Sequence, residues 1–391
     1  MSPRKITAGA SPSLYIHVPF CRSICSYCDF HRSLGSRQAM DAWLAAVKRH
    51  VAWHKEHFKV SSWNTVYVGG GTPSALPNDM LSELLALPGV RNTGVEFTLE
   101  ANPDDIDDAF LETATRAGVT RISVGVQSLE DDARTAVARR GSSDDIKQAL
   151  ERLSRSWNGE LSADMIYGLP RQTESGLAAD IAYLAGLGFD HLSVYELTLA
   201  EGTSLADAVR DGTAKVAGSD DRARLWDAAV RPLRDRGYER YEVSNWAVPG
   251  RECRHNQVYW SMGDWLAAGP SASGNLYNGD GTFLRMDNTW NDTAYAADPV
   301  ASCSESVVSG KDAWIETLMM AMRTKKGLDS DTFVGRFGRP PEDVFGPALT
   351  ERPDVFQKDS HGWKPTERGM DVLNSAMVAC MMEADRREGS T

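Results

Sequence analysis

The sequence predicts an α/β fold: a parallel sheet covered by helices, followed by a cap and a small, mainly helical module. From Leu14 to about Ser244 a strand-then-helix rhythm repeats about every 30 residues, which is typical of βαβ units. After about Pro249 this rhythm stops. Parallel strands need crossover connections, so the repeated units predict one parallel sheet with right-handed crossovers.

Six short β-branched or aromatic runs are the predicted strands: Leu14–Val18, Thr65–Val68, Val95–Leu99, Arg121–Val124, Leu161–Ile166 and His191–Leu197. The helical patterns that follow them are Asp41–His57, Asp79–Leu87, Asp107–Ala117, Asp144–Trp157, Gly176–Gly186 and Asp221–Arg236. Polar and glycine-rich residues follow four of these strands. Because ligand sites of parallel α/β folds lie at the carboxyl ends of the strands, we expect these residues to face one pocket.

The remaining chain predicts two further parts. Arg251–Asn291 is rich in aromatic residues, glycine and asparagine, which suggests an irregular, loop-heavy cap. Asp312–Thr324, Asp329–Gly335 and Thr366–Ala384 read as helices, with a short hairpin around Trp363. We expect residues 1–13 to be a tail, 14–249 the core, and 250–391 the cap and helical domain.

Composition limits the partners and the location. The 391 residues include 54 acidic and 42 basic side chains, a net charge of −12, so nucleic acid is not an expected partner. No signal peptide and no apolar run long enough to span a bilayer is present, which predicts a cytoplasmic protein.

Three of the six cysteines crowd together as Cys21, Cys25 and Cys28, a Cys-x3-Cys-x2-Cys spacing. Thiolates are the usual ligands of iron–sulfur clusters, and three of them can hold three irons of one cubane and leave the fourth open to a small molecule. The alternatives are inert thiols or a zinc site with a distant fourth ligand. Zinc motifs usually contain two cysteine pairs, and this sequence has no second pair.

This spacing after a first strand resembles the radical S-adenosylmethionine (SAM) superfamily, whose fold is a partial (β/α)6 barrel. Within it the chain resembles the oxygen-independent coproporphyrinogen III oxidase group and, in that group, the heme chaperone branch, the HemW proteins. The resemblance runs from Leu14 through Arg251–Trp260 into the helical tail. It implies a [4Fe–4S] cluster on Cys21, Cys25 and Cys28, with SAM on the open iron.

The resemblance also implies a SAM pocket. Glycines after the second strand allow close approach of a ligand, and a carboxylate after the third can accept hydrogen bonds from a ribose or an ammonium group. Read alone, each such residue is a turn, capping or surface residue. By position, the residues implied are Tyr15 and Gly70 for one SAM, Phe30, Thr72, Gln127, Arg139 and Asp164 for a second, and Gly71 and Glu100 in the same pocket. Spacing favours Arg139 over Arg140.

Two departures separate the chain from the oxidases. The oxidases carry a fourth cysteine two residues past the third, where this chain has Phe30. They also have a longer segment before the cluster. Both departures match the chaperone branch.

The segment C-R-H-N-Q-V-Y-W, from Cys253 to Trp260, resembles a motif implicated in heme binding in HemW proteins. His255 offers an imidazole for axial ligation, and Tyr259 and Trp260 offer flat apolar surface for a porphyrin. The alternative is that the segment folds the cap, with His255 hydrogen-bonded and both aromatic rings buried.

The resemblance, with Phe30 and the His255 segment, implies a heme chaperone that carries the cluster, SAM and heme and delivers heme to apo-hemoproteins such as respiratory cytochrome subunits. It would need a reductant for the cluster and would be a monomer or a heme-linked dimer. The first alternative is an enzyme, a SAM-dependent coproporphyrinogen III dehydrogenase. The second is a tRNA-modifying radical SAM enzyme, which predicts a basic appendage that the acidic composition does not show.

Overall fold

The computed structural model describes residues 11–90 and 94–388. Most of the predicted tail, residues 1–13, lies outside the described residues. Among those described, no helix is both long and apolar enough to cross a bilayer.

Six strands that follow one another along the chain form most of the parallel part of the main sheet. They are β1 (Ser13–Val18), β2 (Thr65–Gly70), β3 (Glu96–Ala101), β4 (Arg121–Gln127), β5 (Glu160–Tyr167) and β6 (His191–Glu196). Each pairs in parallel with the next, with Tyr15 opposite Tyr67 and Gly125 opposite Asp164. The predicted α/β fold is therefore confirmed, as a partial barrel that opens at the carboxyl ends of these strands.

Eight α-helices of the described chain lie between β1 and Asp235. They are α1 (Arg37–His57), α2 (Asn78–Ala86), α3 (Asp108–Ala117), α4 (Asp131–Ala136), α5 (Ser143–Ser156), α6 (Glu174–Gly186), α7 (Ser204–Arg210) and α8 (Ser219–Asp235). Local capping explains several starts: Ser36 accepts a hydrogen bond from the Ala39 amide, and Asp107 from the Phe110 amide. α3 ends at Gly118, whose φ of 79° suits the left-handed cap.

Alternate residues of the strands face opposite sides. Val68, Leu99 and Val124 are buried in the main hydrophobic core. Their neighbours Glu100 and Ser123 line a cavity inside the barrel. Because side chains alternate along a strand, one face of the sheet packs in the hydrophobic core and the other faces the polar interior of the barrel.

The segment predicted to be irregular continues the sheet instead. The elements after α8 are β7 (Glu239–Arg240), β8 (Asn245–Ala247), α9 (Arg254–Trp260), β9 (Trp265–Ala268), β10 (Ser273–Tyr277), β11 (Phe283–Asn288), α10 (Asp292–Ala297) and β12 (Cys303–Val308). β9 pairs in parallel with β1, and β10 to β12 follow as antiparallel neighbours in a twelve-stranded sheet. The expectation of a loop-heavy cap over Arg251–Asn291 was therefore wrong, because β9 is stabilised by distant pairing with β1, and β10 and β11 extend the sheet from it.

A second hydrophobic core lies in the carboxyl-terminal part. Its elements are α11 (Gly310–Ala321), β13 (Leu328–Asp329), α12 (Ser330–Phe337), α13 (Pro341–Thr350), β14 (Phe356–Lys358), β15 (Gly362–Pro365), α14 (Glu367–Asp371) and α15 (Leu373–Glu388). The hairpin predicted around Trp363 is present as β14 and β15, and β13 pairs with β15. The sequence analysis missed α13. The predicted domain boundaries stay a prediction.

Candidate functional site

A cavity of about 470 Å³ occupies the barrel interior. The predicted site residues that line it are Cys21, Cys25, Cys28, Phe30, Gly70, Gly71, Thr72, Glu100, Gln127, Arg139 and Asp164. They come from the loop after β1, from the ends of β2 to β4, from the middle of β5, and from the segment after α4 that carries Arg139. The fold therefore brings together residues that are far apart in the chain.

The three clustered cysteines lie on the loop between β1 and α1. Phe20 anchors this loop in the core, edge-on to Trp43 with ring centroids 5.5 Å apart. The Cys21 amide donates to the carbonyl of Ser33 (3.0 Å), which closes the loop. Burial raises the pKa of the Cys21 and Cys28 thiols.

Donors already face two of the sulfurs. The Thr72 hydroxyl lies 3.4 Å from Cys21 Sγ, and Arg139 Nη1 lies 3.4 Å from Cys25 Sγ. The hydrogen bond from Thr72 partly opposes the effect of burial on the pKa of Cys21 and so favours its thiolate, the form that ligates iron. All three cysteines are free of disulfides.

The cysteines do not converge on a single point. Among the described residues, no group of three or more His, Cys, Asp and Glu side chains is gathered as the ligands of one metal ion would be. A cubane needs a different arrangement, because each thiolate binds its own iron. Three separate thiols on one cavity wall suit that chemistry.

The glycine loop after β2 requires glycine for two different reasons. Gly70 has φ of 109°, and a Cβ there would lie 2.5 Å from the His17 ring. A Cβ on Gly71 would lie 2.9 Å from the backbone oxygens of Val18 and Phe20. The loop therefore packs directly on the end of β1 and the start of the cysteine loop.

Glu100 is held at the centre of the cavity. The Tyr67 hydroxyl donates to Glu100 Oε1 (2.6 Å), and the Gly70 amide donates to Oε2 (3.0 Å). Burial, with a further contribution from nearby Asp164, raises the pKa of Glu100 to about 7. This carboxyl group therefore exchanges its proton near neutral pH.

Arg139 reaches across the cavity, and Arg140 is more exposed at its edge. Arg139 Nη2 donates to Asn102 Oδ1 (2.9 Å) and to the carbonyl of Gly125. Asn102 Nδ2 in turn donates to Thr72 Oγ1 (3.3 Å). The geometry thus favours Arg139 as the cavity residue of the two.

Gln127 and Asp164 lie on adjacent strands. Gln127 has φ of 70°, at a register shift between β4 and β5. This irregularity lets the end of β4 turn toward the cavity. Burial raises the pKa of Asp164 to about 6, opposed by hydrogen bonds from Ser193 and Ser123 and by the charge of Arg139.

Tyr15 is the one predicted SAM residue that is not on the cavity wall as described. Its hydroxyl is 3.0 Å from His17 Nδ1, and its ring lies 6.1 Å from that of Tyr67. Tyr15 supports the residues behind the glycine loop.

The predicted heme segment closes the other end of the barrel. α9 begins against Glu96, whose two carboxylate oxygens accept from the amides of Arg254 (2.9 Å) and His255 (2.8 Å). Arg121 pairs with the same carboxylate at 3.5 Å. α9 therefore seals the amino-terminal ends of the strands.

His255 is fully buried there. One ring nitrogen is 2.7 Å from Thr65 Oγ1, and the other is 2.7 Å from the Tyr259 hydroxyl. Burial lowers the pKa of His255 to about 3, so the imidazole is neutral. Trp260 lies beneath the Arg323 guanidinium, 4.9 Å from it. In this arrangement both nitrogens of His255 are engaged within the protein, and its role as a heme ligand stays a prediction.

Several residues that contribute to the site escaped the sequence analysis. Tyr67, Arg121 and Asn256 line the cavity and were not predicted as site residues. Asn102 was expected in the pocket only as one of the polar residues after the third strand, without a role of its own. The period-two pattern of β2 gave no indication that Tyr67 bonds to Glu100.

Comparison with protein families identifies two regions. Residues 15–184 match the radical SAM superfamily model, and residues 308–372 match the HemN C-terminal domain.

Curated relatives match over most of the chain. The heme chaperone HemW of Lactococcus lactis is 30% identical, over 95% of this chain and 97% of that protein. The Escherichia coli K12 HemW is also 30% identical, over 95% and 98%. The HemW of Mycobacterium tuberculosis H37Rv is 34% identical, over 81% and 82%.

Among solved structures, coproporphyrinogen III oxidase (HemN) from Escherichia coli, described as a radical SAM enzyme, superposes with a TM-score of 0.79. The match covers 95% of this chain and 90% of that one at 20% identity. This likeness shows the fold.

Proposed function

Because this chain belongs to the HemW branch of the radical SAM superfamily, we propose that it is a heme chaperone. It holds a [4Fe–4S] cluster and SAM in the barrel, binds heme and delivers it to apo-hemoproteins. The relatives support this proposal, since curated HemW proteins from three bacteria align along 81% or more of the chain. We further propose that the protein acts in the cytoplasm and takes electrons for the cluster from a separate reductant.

One observation carries the cofactor part of the proposal: three free thiols and the polar ends of four strands line one cavity. Cys21, Cys25 and Cys28 hold the cluster. Bound there, the cluster would supply single electrons, for redox control of heme release or for SAM cleavage.

The protein's own residues orient SAM. Glu100 accepts hydrogen bonds from a ribose or an ammonium group, and Arg139 offers a guanidinium to a carboxylate. Gly70 and Gly71 let the backbone approach the ligand closely. Gln127 and Asp164 suit hydroxyl groups on the far side of the cavity. Phe30 and Thr72, with Gln127, Arg139 and Asp164, complete the set for a second SAM, where one binds.

Anaerobic reconstitution with iron and sulfide tests the cofactor proposal. We expect a cubane absorption spectrum, lost when Cys21, Cys25 and Cys28 are all replaced by alanine. Cys303→Ala is the matched control, because this half-buried thiol lies on β12, away from the cavity lining. An unchanged spectrum in the triple variant contradicts the cluster assignment.

Hemin titration of the same preparation tests the chaperone proposal. We expect a Soret shift that saturates, followed by transfer of the heme to an added apo-cytochrome. A wild-type protein that shows no Soret shift contradicts the proposed function.

One observation favours the alternative enzyme. Arg121 lines the inner end of the cavity, and its Nε and Nη1 have no hydrogen-bond partner among the described residues. These donors suit the carboxylates of a coproporphyrinogen. Conversion of coproporphyrinogen III by the reconstituted protein would establish the dehydrogenase. Phe30, in place of a fourth cysteine, leads us to expect no turnover.

A further inference from the structure

The eight histidines of the chain all lie within the described residues, and they differ sharply in access. Five are buried: His17, His50, His54, His191 and His255. Two of the others, His57 and His361, lie away from the cavity lining. His31 alone combines partial exposure with a place on the cysteine loop, three residues after Cys28.

The surroundings of His31 suit a metal-binding imidazole. Its Nε2 is 2.6 Å from Oδ1 of Asp292, a carboxylate that is 43% exposed, and the histidine side chain is 15% exposed. Metal-ligating histidines typically have the second ring nitrogen paired with a carboxylate in this way. Nδ1 has no hydrogen bond to any described residue. A ligand can therefore bind this ring without breaking a buried hydrogen bond, whereas ligation by His255 would break at least one of its two buried hydrogen bonds.

One exposed aromatic ring contacts His31, and two further exposed apolar residues lie close to it in the sequence. The indole of Trp290 meets the His31 ring edge-on, with centroids 5.5 Å apart. Trp290 is 65% exposed, Phe30 is 62% exposed and Leu34 is 64% exposed. Exposed aromatic side chains that together form a contiguous apolar patch mark ligand or partner sites. Their flat faces suit a planar apolar macrocycle.

Two arginines, Arg32 and Arg140, line the cavity near the cysteine loop. Arg32 forms no ion pair with any described residue. Its Nη1 donates to the carbonyl of Phe30 (2.8 Å), and its Nε is buried without a partner. Arg140 is exposed at the cavity edge. Guanidinium groups bind carboxylates through paired donors, so both arginines suit the propionates of a heme.

We propose that heme docks on this outer face of the cysteine loop, with His31 as its axial ligand and Trp290 and Phe30 against the macrocycle. The site deepens the proposed chaperone function and rests on it. Phe30 also lines the cavity, so docked heme covers the cavity mouth beside the cluster cysteines.

The test is an anaerobic hemin titration of the reconstituted full chain, followed by the Soret band and the ferric heme EPR signal. We expect His31→Ala to weaken hemin binding about tenfold or more and to change the EPR signal, with partial rescue by added imidazole. Trp290→Ala, outside the cysteine loop, should weaken binding and leave the iron–sulfur content unchanged. His361→Ala, an exposed histidine elsewhere, is the control and should bind as wild type.

The outcomes separate the site from the function. Wild-type binding with unchanged affinity and spectra in both His31→Ala and Trp290→Ala overturns this site and leaves the chaperone proposal standing. Loss of the signal in His255→Ala with wild-type behaviour of His31→Ala overturns the site in favour of the motif at the barrel floor. A wild-type protein that binds no hemin overturns the chaperone proposal itself, and this site with it.

Discussion

Replacing His255 by alanine tests the structure of the barrel floor. The imidazole is fully buried and makes two hydrogen bonds of 2.7 Å, to Thr65 and to Tyr259. Each bond contributes about 1 kcal/mol, and the Tyr259 hydroxyl would be left buried without that partner. With the lost packing of the ring, we expect the free energy of unfolding to fall by about 3–4 kcal/mol.

The pH dependence of that loss is a sharper test. Burial lowers the pKa of His255 from 6.5 to about 3, so the folded protein holds it neutral while the unfolded chain can protonate it. Its contribution is fully present above about pH 6.5 and falls by roughly 1.4 kcal/mol per unit as the pH drops toward 3. The alanine variant lacks this term, so its penalty should shrink by about 1.4 kcal/mol between pH 7.5 and 5.5.

Urea unfolding of the cluster-free protein, followed by circular dichroism at both pH values, measures these quantities. His361→Ala is the matched control, since it removes an exposed imidazole and should change stability by less than about 0.5 kcal/mol. A His255→Ala penalty below about 1 kcal/mol, or one that does not change with pH, would refute the reasoning.

Three further outcomes are expected of the cavity. SAM affinity, measured by anaerobic calorimetry, should rise several-fold from about pH 6 to 8, because the pKa of Glu100 is about 7 and its carboxylate is the better acceptor; Glu100→Gln should flatten the profile, and a flat wild-type profile would contradict the role. Gly71→Ala should lower the iron bound after reconstitution, because the added methyl meets backbone oxygens at 2.9 Å, whereas Gly186→Ala, with no atom within 4 Å, should not; equal iron content refutes this. Arg139→Lys should weaken SAM binding about tenfold through loss of the paired donors, and Arg140→Lys should have little effect; the reverse order would reassign the cavity arginine.

Local signals explain why the core was predictable from the sequence. The first six strands were found within a few residues because β-branched runs alternate with capped helices. The differences also have local causes: α1 begins at Arg37 because Ser36 caps it, before the predicted start at Asp41. β2 continues to Gly70, because that glycine still pairs with Val18 of β1.

Distant pairing explains what the sequence did not reveal. β9 is only four residues long, and its partner β1 lies about 250 residues away in the chain, so no local pattern marks it. The same limit applies to side chains. The sequence motif pointed to His255 as an imidazole in an aromatic segment. One of its two hydrogen bonds is with Tyr259 on the same helix, but the other is with Thr65, which only the fold brings close.

Tyr67 connects the two ends of the barrel. Its ring lies 5.1 Å from that of His255, and its hydroxyl donates to Glu100, which also accepts from the Gly70 amide. α9, which closes the floor of the barrel, therefore supports through Tyr67 the glycine loop that is expected to hold SAM. If His255 supports this loop, replacing it should weaken SAM binding even in heme-free protein. If His255 acts only as a heme ligand, its replacement should leave SAM binding unchanged. The SAM affinity of folded His255→Ala protein therefore decides between the two roles.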